Sequence, residues 1–141
     1  MITKTKHERL EDANYAILQI SMLGRRFFYN EKGNRVARFE LSIDGKLWFV
    51  DDYTGKRVYT AYRGGRWRNF SHGGTMRAII EALAEYIRTG ARISSRHFGP
   101  WPEYYCEGDL WGYGKEAMAM LRNILRARDC IRWPSDEQVA A

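Results

Sequence analysis

Cysteine, histidine and proline are scarce in this chain of 141 residues: two, three and three respectively. Cys106 and Cys130 have neither CxxC nor Cys/His spacing, which excludes a disulfide scaffold and a zinc ribbon. Two free thiols in a reducing cytosol are expected, with a single disulfide as the lesser alternative. His7, His72 and His97 form no HExxH or HxE…CxxC pattern, so no metal and no cofactor is expected. No apolar run is long enough to span a bilayer. The opening MITKTKHERLED lacks the apolar stretch and small-residue cleavage site of a secretory signal, so a cytoplasmic protein without a membrane partner is expected. The 45% hydrophobic and 14% aromatic fractions exclude a disordered chain, and the length suits one domain, residues 1–141, with a frayed tail from about residue 131.

Acid is missing from one stretch. Residues 56–96 hold nine Lys/Arg against only Glu81 and Glu85, a local charge of +7 in a chain whose net charge is +6. Eight of these nine cations are arginines, whose planar fork matches phosphate or carboxylate. An anionic partner is the functional reading of that excess, and a solvated basic face is the bland one.

The patterning predicts an α+β fold. Leu10, Ala13, Ile17, Ile20 and Leu23 recur at helical spacing over residues 4–24, with Gly24 as the stop. NEKGN, residues 30–34, is a turn. Three strands follow at 36–43, 47–50 and 57–62, forming an antiparallel meander, with Ala37, Phe39, Leu41 and Ile43 on one face of the first. The second strand, LWFV, is apolar at both parities. A two-residue Asp44-Gly45 turn puts Trp48 and Val50 on the core face, and a three-residue loop puts Leu47 and Phe49 there instead. Next comes a helix with Thr75 as N-cap, a Met76, Ile79, Ile80, Leu83 and Ile87 stripe, and Gly90 just past its end. A final helix over residues 115–128 follows a long aromatic loop, HFGPWPEYYCEGDLWGYG (97–114).

The run YRGGRWRNFSHGGT, residues 62–75, draws the candidate site together. Gly73-Gly74-Thr75 leads into a helix, whose free N–H groups attract anions. Arg57, Arg63, Arg66 and Arg68 are candidates for phosphate contact, Tyr59 and Trp67 for stacking on bases, and Gly74 and Thr75 for one anionic oxygen. The run lacks Walker spacing and its Lys, so it is no nucleotide P-loop. Its bland reading is a hairpin-to-helix connection with glycines chosen for positive φ. In the aromatic loop, Trp101, Tyr104, Tyr105 and Trp111 either close the core or form a protein-binding hot spot. Asp51-Asp52 reads as a polar turn in which acids bond nearby backbone.

Two resemblances follow from these residues. The strand–strand–strand–helix order made by residues 46–87 with the strand just before them resembles the small DNA-binding modules of plant ethylene-response factors and integrase arm-binding domains, which lay a sheet in the major groove. The likeness implies DNA contact by Arg57, Tyr59, Arg63, Arg66, Trp67 and Arg68. With the first helix added, the order is also similar to double-stranded-RNA-binding domains, but the basic run those carry on the last helix is reduced here to Arg77 in Met76-Arg77-Ala78. Separately, FSHGGT followed by a helix and then HFGPWPEYYCEGDLWGYG is similar to small accessory proteins of phages and prophages, over residues 47–122. That similarity implies a mobile-element origin and the cytoplasm of a bacterial host.

The leading expectation is a non-enzymatic binding protein of mobile-element type, whose basic arginine/aromatic surface contacts nucleic acid or a nucleic-acid-processing host protein. One alternative is a phage-type inhibitor of a host defence protein acting by protein–protein binding. The other is a small hydrolase or transferase using His72, His97 and Cys106, although Glu107 and Asp109 disfavour a Cys106 thiolate. Self-association between the basic third and the acidic loop is a further expectation.

Overall fold

A computed structural model describes residues 4–62, 67–99 and 114–133. The first helix, α1 (Lys6–Met22), starts on a capping box that the sequence spells as Thr5-x-x-Glu8. The Glu8 amide donates to Thr5 Oγ1 at 3.1 Å, and the Thr5 amide donates to Glu8 Oε1 at 3.0 Å. Hydrogen bonding to Thr5 holds the Glu8 carboxyl below its ordinary value. Leu10, Ala13, Ile17 and Ile20 are buried as the periodicity predicts, and Gly24, at φ +55°, turns the chain out of the helix. Arg26 and Phe28 also have positive φ, an uncommon state for a buried ring such as Phe28. A short hairpin follows, β1 (Tyr29–Asn30) with β2 (Arg35–Val36), around the expected turn.

The meander is present as β3 (Arg38–Leu41), β4 (Leu47–Val50) and β5 (Arg57–Tyr59), antiparallel in that order. Leu41 pairs with Leu47, and the Ser42 amide donates to the Lys46 carbonyl at 3.0 Å. Residues 43–45 therefore form a three-residue loop, with Gly45 in the left-handed region at φ +84°. This settles the open register: Leu47 and Phe49 face the core beside Phe39 and Val58, while Trp48 is turned outward with Arg57 and Tyr59. Ile43, expected to face inward, is instead wholly exposed at the hairpin tip, because the strand ends at Leu41. Asn14 of α1 closes the free edge of β3: its Nδ2 donates to the Phe39 carbonyl at 3.1 Å, and its Oδ1 accepts from the Phe39 amide at 2.7 Å.

Helix α2 (Gly74–Thr89) carries the expected stripe and ends at Gly90, whose φ of +84° permits a left-handed cap. Its N-cap is Gly73 rather than Thr75; Thr75 is exposed within the first turn, and no side chain caps the helix. Arg9 of α1 seals the other end, its Nε donating to the Tyr86 and Ile87 carbonyls at 3.0 Å each. The chain then runs through β6 (Ile93–Ser94) and a turn of 3-10 helix (Ser95–His97). Helix α3 (Lys115–Leu125) buries Met118, Leu121 and Leu125, ending three residues short of the predicted limit.

The first residues of the expected frayed tail are docked, and residues 134–141 lie outside the described residues. Ile131 and Arg132 form β7, parallel to β6, and Cys130, Ile131 and Trp133 are buried. Arg92 grips this segment through the Asp129 and Ile131 carbonyls, and Arg126 lies 4.4 Å from the Trp133 ring centroid. Burial pushes the Cys130 thiol up to about 12, with Asp12 adding to the shift, so it is an inert core group. Asp12 itself, only 2% exposed, ties α1 to Lys4 (2.6 Å), the Tyr86 hydroxyl (2.8 Å) and Arg128 (3.4 Å). Burial, then the bond to Asp12, raises Tyr86. None of the helices among the described residues is long and apolar enough to cross a membrane.

Candidate nucleic-acid interface

Because β4 and β5 pair with Trp48 opposite Tyr59, two aromatic side chains stand side by side on the outer sheet face. Their ring centroids are 5.1 Å apart at an interplanar angle of 44°. Arg57, two positions before Tyr59, shares that face, and its guanidinium lies 4.8 Å from the Trp48 centroid. Beyond them the chain turns, and Tyr62, Trp67, Arg68 and Asn69 complete a groove of about 430 Å3. Tyr59 and Tyr62 are 39% and 57% exposed, and Arg68 is exposed at the rim. Asn69, at φ +73°, turns the loop back, and its carbonyl accepts from Thr54 Oγ1 at 3.0 Å.

The candidate residues divide on inspection. Arg57, Tyr59 and Arg68 come together around one groove. Gly74 and Thr75 are exposed at the open N-terminus of α2, where a Cβ on Gly73 or Gly74 would meet nothing. Trp67 also lines the groove, but it is 3% exposed, and its Nε1 donates to the Tyr62 carbonyl at 3.1 Å. Phe70 packs edge-on against it and Arg77 lies 4.7 Å from its centroid, so Trp67 is a wall anchored in the core and not the surface stacking platform expected of it. Arg63 and Arg66 lie outside the described residues, as do Trp101, Tyr104, Tyr105, Trp111 and Cys106. Phe98, at the start of the aromatic loop, is fully buried.

Among the described residues, the cations of the basic third do not form one platform. Arg77 pairs with Glu81 at 2.6 Å, Arg88 donates to the Thr60 hydroxyl, and Arg92 is spent on backbone carbonyls. Arg57 is 3.6 Å from Glu40, which also accepts from Arg38 at 2.7 Å. This glutamate, from outside the basic third, softens the positive field on the outer face.

The loop between Arg68 and α2 is held by a polar pin that single residues do not reveal. Both Asp51 and Asp52 are buried. Asp51 Oδ2 accepts from the Tyr53 and Thr54 amides at 3.0 and 2.8 Å, and its Oδ1 accepts from the Ser71 amide and hydroxyl, each at 2.9 Å. The expected local backbone bonds are thus present, and a second set reaches 20 residues along the chain. His72 Nε2 is 2.6 Å from Asp52 Oδ1, and Phe27, Phe28 and Phe70 pack edge-on against the imidazole. Ligand atoms of Asp51, Asp52 and His72 lie within 4.8 Å of one another, a grouping of metal-capable type. With four donors already on Asp51, the cluster's bonding is turned inward to the fold. Nor does it make a nucleophilic triad, because the Ser71 hydroxyl serves Asp51 while His72 serves Asp52. His97 sits elsewhere, on the 3-10 turn, where burial followed by the charge of Arg96 lowers its pKa.

Sequence reading missed Trp48, Tyr62 and Asn69 as groove residues. The parity of Trp48 against Tyr59 was the available signal, and it needed the hairpin loop length to be read.

The molecule is therefore a small α+β protein, an antiparallel meander with helices, bearing an aromatic groove on the outer sheet face. The chain belongs to the YoqU family, whose family model matches residues 3–130. It is 33% identical over 116 residues to an SPbeta prophage-derived uncharacterized protein YoqU of Bacillus subtilis (strain 168), covering 82% of this chain and 77% of that protein. The phage or prophage character implied by FSHGGT and the aromatic run is thereby borne out. No solved structure matches the chain.

Proposed function

We propose that this phage-type accessory protein binds single-stranded nucleic acid on the outer face of its sheet. One observation carries the reading: Trp48, Tyr59 and Tyr62 line a single groove with Arg57 and Arg68. Proteins that hold single strands combine base-stacking rings with cations that track the backbone. A duplex keeps its base faces stacked inside, so rings recessed in a groove favour an unpaired strand over a double helix. Phosphate contact from Arg57 and Arg68 would make affinity fall as salt rises.

A second reading is favoured by the Glu40 carboxylate beside Arg57, which suits a protein partner better than a polyanion. In that reading the same Trp, Tyr and Arg side chains act as interface hot spots that engage a nucleic-acid-processing host protein. Titration of labelled single-stranded DNA, single-stranded RNA and duplex DNA at two salt concentrations separates the two. The expected result is saturable binding of a single strand, tighter than duplex and weaker at high salt. No binding of any of the three at low salt would eliminate nucleic acid and leave the protein-binding reading.

A further inference from the structure

A second hollow, of about 170 Å3, adjoins the groove, and Tyr59 lines both. Its wall carries three cations drawn from three elements: Lys6 at the start of α1, Lys46 at the end of the β3–β4 hairpin and Arg88 in the last turn of α2. Only one of them belongs to the arginine-rich third, and no sequence spacing relates the three. Among the described residues, neither Lys6 nor Arg88 is ion-paired to a carboxylate. Arg88 is held by the neutral Thr60 hydroxyl, which donates onward to the Leu47 carbonyl at 2.7 Å, so its guanidinium is positioned without being neutralised. Asp44 is the acid in the lining; it lies 3.9 Å from the Lys46 ammonium, and its bond to Ser42 keeps its carboxyl below the ordinary value. Three cations against one anion leave this small hollow with a charge of about +2, counted as whole charges.

We infer that this hollow is a phosphate subsite, and that one strand passes Tyr59 with a base in the aromatic groove and a neighbouring phosphate between Lys6, Lys46 and Arg88. The inference rests on the single-strand reading and adds the strand's path. Hydrated pockets hold about one water per 30 Å3, so the hollow has room for a tetrahedral oxyanion and a few waters. Lys46 also lies 5.7 Å from the Tyr59 centroid, so the cation and the stacking ring form one continuous wall.

The test is the salt dependence of oligonucleotide binding by the double variant Lys6→Gln, Lys46→Gln. Both side chains are exposed, and a cation in the first turn of α1 opposes the helix dipole, so the fold should tolerate the change. For a single strand, each phosphate contact contributes about 0.7 to the slope of log K against log salt, so the slope should shrink by about that amount. The paired change of Lys32→Gln and Lys115→Gln, two exposed cations outside the lining of the hollow, controls for net charge and should leave the slope unchanged. An unchanged slope in the double variant, or an equal loss in the control, overturns the subsite while leaving the single-strand reading intact. Absence of wild-type binding at low salt overturns both.

Discussion

Asp51→Ala is expected to lower the melting temperature by roughly 10–20 °C. The carboxylate is fully buried and accepts from three backbone amides and one hydroxyl, drawn from residues 53–54 and from Ser71. Truncation leaves four donors, in part-buried hydrogen bonds, without their acceptor, although Ser71 itself is exposed and its hydroxyl can turn to water. A stranded buried donor costs about 1–3 kcal/mol, and partial repair by water brings the sum to roughly 3–5 kcal/mol. Asp51→Asn should fall between wild type and Ala, since its oxygen can still serve one pair of donors while its amide faces the other. The loss should reach the groove as well, because the 69–72 segment is released from the β4–β5 turn. A thermal melt followed by circular dichroism checks this, and a shift of less than about 3 °C would show that the pin contributes little.

The second large effect falls on binding and not on stability. Tyr59→Ala should weaken single-stranded oligonucleotide binding by roughly 5- to 150-fold, from a stacking contribution of about 1–3 kcal/mol per base. Tyr59 is partly exposed and lies on the outer face, so the melting temperature should hardly move. Since the ring carries no charge, the salt slope should also stay at its wild-type value. Fluorescence anisotropy on the variant at two salt concentrations reads both quantities together. Affinity within twofold of wild type would remove Tyr59 from the binding surface.

How much of this was legible depended on whether a feature is local. Both long helices were readable because a 3.6-residue stripe met a glycine at the point where the chain must turn left-handed, at Gly24 and at Gly90. The Thr5-x-x-Glu8 cap, complete within four residues, was an equally local signal that the sequence reading passed over. Strand register was not, because LWFV is apolar at both parities and its facing depends on whether residue 43 counts as strand or loop. Ile43 itself looks like a core residue and is a hairpin tip.

The site was legible in part. Arg57, Tyr59 and Arg68, grouped in the sequence by charge and residue type, line one groove. Trp67 misled: flanked by arginines in a glycine-rich run it reads as a surface ring, and only Phe70 and Arg77 show why it is buried. Charge that is contiguous in sequence also separates in space along a helix. Arg77 and Arg88 are eleven residues apart on α2, about 16 Å at 1.5 Å per residue, so they lie near opposite ends of the helix. Conversely, Lys6, Lys46 and Arg88 meet around one hollow although no local pattern joins them. The docking of Ile131 beside Ile93 is a pairing across 38 residues, which no window of sequence contains.

Photo-crosslinking of a single-stranded oligonucleotide carrying an activatable base, followed by peptide mapping, tests most directly whether the outer sheet face is the binding surface. The expected crosslinks fall on Trp48, Tyr59 or Tyr62 and disappear when unlabelled strand competes. Competable crosslinks confined to peptides away from these three residues would contradict the account.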